Sequence, residues 1–110
     1  MSREIEFRVW DSTNRVMRYP DELGGIYLGT ASSNLVLEQY TGLKDKSGKK
    51  KIFEGSIVKT EDLYGHPVNY EVKYHNGEWE AGIYVLNHIN RYCEVIGDIH
   101  NNPELLEVGE

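Results

Sequence analysis

The sequence predicts a mainly β protein with minimal helix, and three observations predict it. Charged and apolar residues alternate over residues 3–10, the period of a half-buried strand. Asn76-Gly77 lies between two alternating arms, and this pair suits a two-residue type I′ turn because both central positions need positive φ. The other apolar runs are short and separated by turns bearing glycine or asparagine, which suggests an antiparallel roll or small barrel.

Taken in order, Ile5, Phe7 and Val9 point to one side of the first strand and Glu4, Glu6 and Arg8 to the other, with Trp10 on the polar side. Residues 11–15 (DSTNR) are turn chemistry, and 16–19 read as a returning strand stopped by Pro20, so a first hairpin is expected. Residues 21–23 have room for one helical turn before Gly24-Gly25. Short strands are expected at 26–28 and 35–40. Asp45-Lys46-Ser47-Gly48 offers a tight turn, and Glu54-Gly55-Ser56 is the entry to a strand at Ile57-Val58. Residues 61–67 form a polar surface loop.

The second hairpin, residues 68–85, has a readable register. With His75 opposite Glu78, the pairs are Tyr74 with Trp79, Val72 with Ala81, Tyr70 with Ile83 and Val68 with Val85, all on one face. Lys73 then meets Glu80 on the other face, where opposite charges are favoured. Residues 86–92 suit a helical turn or a loop. Residues 93–100 (CEVIGDIH) are a last strand with Gly97 as a bend or bulge site, and Asn102-Pro103-Glu104 resembles a helix start with Asn102 as N-cap.

At 110 residues the chain suits one compact unit. The expected lobes are 1–42 and 52–106, joined by the 43–51 turn. No apolar run approaches the roughly 20 residues that span a bilayer, the N-terminus lacks a secretory centre, and the one cysteine, Cys93, permits no internal disulfide. A cytoplasmic address is the expectation. The net charge of −6 opposes loose binding to nucleic acid.

No two of the four histidines and Cys93 fall at metal-ligand spacing, and no nucleophile–base pair is visible, so neither a metal, a cofactor nor an enzymatic activity is expected. Cys93 reads as a buried structural thiol. Lys44, Lys46, Lys49, Lys50, Lys51 and Lys59, with Tyr40 and Phe53 among them, have the elements of a nucleic-acid patch, cations for phosphates and rings for bases. A solvated turn is the simpler reading. Trp10, Tyr27, Tyr84 and Tyr92 lie off the inferred core face, where aromatics suit a protein contact.

Three segments carry a resemblance: REIEFRVWD at 3–11, QYTGLKDKSGKKKIFEGSIV at 39–58 and EVIGDIHNNPELL at 94–106. Together they resemble the YopX family of small phage and prophage proteins. The resemblance implies a mostly β protein with an SH3-type C-terminal half and no catalytic or ligand residues to carry over. Ser56 stands where the family usually has an acidic residue, and residues 48–54 are one residue longer. The expectation is a phage or prophage accessory protein in a bacterial cytoplasm that binds a phage or host protein, or itself as a homo-oligomer. A nucleic-acid-binding factor is the alternative.

Overall fold

The computed structural model describes residues 5–19 and 34–106. It contains two antiparallel sheets. In the first, β1 (Phe7–Asp11), β2 (Val16–Arg18), β3 (Leu35–Lys44) and β4 (Lys51–Phe53) lie in the order β2-β1-β3-β4. In the second, β5 (Ser56–Glu61), β6 (Pro67–His75), β7 (Glu78–Ala81), β8 (Tyr84–Val85) and β9 (Glu94–Asp98) lie in the order β8-β7-β6-β5-β9. This second sheet curls into a half-barrel. The helix among the described residues is α1 (Leu86–Ile89), followed by 3-10 turns at Asn90–Tyr92 and Pro103–Leu106.

The first hairpin forms as expected, with Trp10 opposite Met17. β3 runs past Tyr40 to Lys44 through an irregularity in its pairing with β4, where Gly42 takes φ +87. The 43–51 connection is therefore a hairpin inside the first sheet, and the chain crosses to the second sheet at Glu54-Gly55. The tight turn has the expected closure, Gly48 N donating to Asp45 O at 2.9 Å. The expected strand at 26–28 and helical turn at 21–23 lie outside the described residues.

The Asn76-Gly77 hairpin has the register read from its faces: Val72↔Ala81, Lys73↔Glu80, Tyr74↔Trp79 and His75↔Glu78. Both turn residues have positive φ, 51° and 83°. The pairs Tyr70–Ile83 and Val68–Val85 do not form. β7 ends at Ala81, the chain reverses at Gly82, and β8 pairs back on β7 with Ala81↔Tyr84. The cause is Gly82, which has φ +63 and has the ring of Tyr70 in the space where its side chain would be.

β9 carries a bulge. Val58 pairs with Val95 and Ile57 with Gly97, so Ile96 is the extra residue. Asn102 is not a side-chain cap; its Oδ1 instead accepts from Asp98 N at 3.2 Å. The core beneath the second sheet is Ile52, Val58, Val72, Ala81, Leu86 and Cys93, all fully buried. Cys93 donates its thiol hydrogen to Ile89 O at 3.2 Å, and burial pushes the thiol up, away from the reactive thiolate.

Candidate functional site

Two features stand out: a buried ionic cluster that fixes one sheet against the other, and an open aromatic groove. The cluster centres on Glu38 of β3. Its Oε1 accepts from Arg8 Nε at 2.8 Å, and its Oε2 lies 2.7 Å from His100 Nε2, which must carry the proton because a carboxylate only accepts. Arg8 and Glu38 are 5% and 3% exposed. Arg8 also lies over the Phe53 ring at 4.7 Å and reaches Glu54 O at 3.3 Å. Trp10 stacks on His100 with centroids 4.8 Å apart and planes 8° from parallel. β1 and β3 thus grip the segment after β9. Gly55, with φ +86, permits it, since any Cβ there would strike the Glu38 carboxylate.

This packing corrects one expectation. Trp10 is 4% exposed and lies under His100, so it offers no surface for a partner. Strand parity failed because β1 is an inner strand whose second face is covered by the segment carrying His100.

The groove, of about 770 Å³, lies on the second sheet. Tyr84 reaches it from β8 and Tyr92 from the turn after α1, one on each side of the helical turn that also supplies Ile89. Leu63, from the β5–β6 loop, completes the apolar part. Leu63 and Tyr92 are 83% and 65% exposed. Asp62 ties down this loop by accepting from Tyr64 N at 2.8 Å and His66 N at 2.9 Å, and these bonds hold its carboxyl below the usual range. Tyr84 packs edge-on against Tyr70, centroids 6.1 Å apart. Of the four aromatics singled out, the structure brings Tyr84 and Tyr92 together, buries Trp10, and leaves Tyr27 outside the described residues.

The lysine patch is divided. Lys46 and Lys59 line the aromatic groove. Lys49, Lys50 and Lys51 line a second groove between β4 and β9, also about 770 Å³. Lys44 is exposed at the end of β3. The rings proposed for stacking bases are unavailable: Tyr40 is buried under Lys51, whose Nζ lies 5.2 Å from its centroid, and Phe53 under Arg8. Lys51 is paired with Glu6 at 2.6 Å.

The outer edge of β9 is also occupied. Asp45 Oδ2 accepts from Val95 N at 3.0 Å and Lys46 N donates to Cys93 O at 2.8 Å, so the turn caps the edge that an added strand would use. Asp45 and Lys46 were visible as turn residues, but their role needed a partner some fifty positions on. Among the described residues no group of three His, Cys, Asp or Glu side chains could hold a metal, and no helix is long and apolar enough to cross a membrane.

Two packed antiparallel sheets, the second carrying an aromatic groove, define a small two-sheet β protein. The YopX family model ("YopX protein") matches residues 22–107, and the chain belongs to that family. Two of the solved structures to which it is similar are of bacterial proteins. One is protein EF1440 from Enterococcus faecalis, with TM-score 0.70 and 26% identity over 96% of this chain and 100% of that one. The other is protein yopX from Bacillus subtilis, with TM-score 0.65 and 28% identity over 93% of this chain and 98% of that one. No curated protein matches the chain.

Proposed function

We propose that the protein is a non-enzymatic interaction module, an accessory protein of a phage or prophage in the bacterial cytoplasm, which binds an extended segment of a phage or host protein. The observation that carries this reading is the convergence of Tyr84, Tyr92 and exposed Leu63 on one groove. Extended peptides dock on aromatic-lined grooves because rigid rings supply contact area at small entropic cost. Burial of Tyr40 and Phe53 counts against a nucleic-acid platform, which needs accessible rings. Self-association on Trp10 loses its support because that ring is buried.

The test is a surface-displayed library of random peptides sorted on labelled protein. Binders are expected to lose affinity with Tyr92→Ala and Leu63→Ser and to keep it with Lys49→Glu. A library without one Tyr92-dependent binder would overturn the proposal. Light scattering of the unliganded protein separates a second copy as the natural occupant.

A further inference from the structure

We infer that the segment held in this groove is acidic as well as apolar, with carboxylates seated at the end formed by Lys46, Lys59 and Arg91. The inference rests on the groove reading above and adds the chemistry of the partner. Three cations line the groove, and among the described residues none is within ion-pair distance of a carboxylate. They gather at one end for a topological reason. Lys46 is drawn to the β9 end by its amide bond to Cys93 O, Lys59 faces Glu94 in the β5–β9 register, and Arg91 directly precedes Tyr92. The Arg91 guanidinium lies 6.0 Å from the Tyr92 ring centroid.

The other end has the opposite character. Glu61 pairs with Pro67 where β5 closes on β6, two residues or about 7 Å along the strand from Lys59. Leu63 stands there beside Asp62, whose Oδ1 is already committed to the loop backbone. Glu94 lines the basic end and Asp45, already committed to Ser47 and Val95 N, lies next to Lys46, so three cations face two carboxylates there. A peptide with carboxylates at one end and a large apolar residue a few ångströms on meets cations first, then Tyr92, Tyr84 and Leu63. A basic peptide meets repulsion at the same place, which makes charge the source of discrimination and the rings the source of holding.

Fluorescence anisotropy with three labelled peptides tests this: one alternating Leu or Phe with Glu, one with Lys in place of Glu, and one with Gln. The acidic peptide should bind about tenfold or more tightly than the Gln peptide at low salt. That advantage should vanish in Lys59→Glu and Arg91→Glu and persist in Lys49→Glu, while Tyr92→Ala should weaken the acidic and Gln peptides together. All these side chains are exposed, and an unchanged urea midpoint checks that each variant folds. Equal binding of the acidic, basic and Gln peptides, still dependent on Tyr92, overturns this inference and leaves the groove reading standing. No Tyr92-dependent binding at all removes both. Equal loss in Lys49→Glu means a diffuse field and overturns the inference. So does an oligodeoxythymidine that binds more tightly than the acidic peptide and is lost with Lys59→Glu.

Discussion

Replacing Glu38 with alanine should cost about 3–5 kcal/mol, the range for removing one partner of a buried ion pair. The structure allows a check on that figure. Glu38→Ala removes two charge-assisted hydrogen bonds, from Arg8 and His100, each contributing about 1.5–3 kcal/mol. The Arg8 guanidinium would keep Glu54 O and the Phe53 face, and the Asp98 carboxylate lies close enough to be acidified by it. That residual company favours the lower half of the range. Against a total stability of about 5–15 kcal/mol for a domain this size, the variant remains folded but visibly weakened. Urea unfolding with linear extrapolation measures it, and an unchanged slope would show that the midpoint shift reports stability. A cycle is formed by Glu38→Leu, Arg8→Met and the double variant Arg8→Met/Glu38→Leu. The double variant should cost less than Glu38→Ala alone, because an apolar pair leaves no buried charge uncompensated. A loss below about 1 kcal/mol for Glu38→Ala, or a double variant equal to the sum of the single ones, would refute the clamp.

Three further outcomes follow from other sites. Gly82→Ala should destabilise by about 1–3 kcal/mol, since its Cβ would meet the Tyr70 ring at 2.4 Å on top of a positive φ; Gly65→Ala, with φ +80 and open space around it, should cost only about 1 kcal/mol. Similar urea midpoints for the two would show that Tyr70 yields freely. Asp45 and Asp98 are pushed up by burial, but hydrogen bonds from Ser47 and Val95 to the one, and from Asn101 and His100 to the other, outweigh this and hold both below the ordinary 3.8. A depressed folded value gives stability that is fully present above 3.8 and lost as pH falls through the folded values. Stability should therefore drop below about pH 4, and Asp45→Asn with Asp98→Asn should flatten that drop; an unchanged acid limb in chemical unfolding from pH 5 to 2 would contradict it. Gly55→Ala should lower the midpoint by disturbing Glu38, and combined with Glu38→Ala it should cost less than the sum; strict additivity would detach Gly55 from the clamp.

What could be read from the chain depended on how far each determinant reached. The Asn76-Gly77 register is local: a turn pair requiring positive φ and four facing pairs settle it, and the structure has those four. The reading broke at Ala81 because the next determinant, Tyr70 lying over Gly82, is a contact between residues twelve apart. Residues 43–51 show the same limit, since the tight turn at Asp45–Gly48 is legible while its attachment to β9 is not. The fold class survives such errors because it rests on many independent short strands.

The Arg8 side of β1 failed for a different reason, one that bears on the candidate site. Alternation assigns charge to solvent unless a compensating charge arrives, and here Glu38 comes from 30 positions away and His100 from 62 beyond that. Neither is distinguishable by itself from an ordinary surface residue. Burial of this set follows from neutralisation rather than from apolarity, and it carries Trp10 inward through the stack on His100. The same accounting, applied to the groove, runs the other way. Tyr92 and Leu63 remain exposed and Lys46, Lys59 and Arg91 remain without carboxylate partners among the described residues. Where the chain has an opposite charge of its own to close a pair, as Glu38 does for Arg8, it buries the pair and uses it to join two sheets. At the groove it supplies cations and rings and no covering segment among those described, so the complement that the clamp finds within the chain is expected, at the groove, from another one.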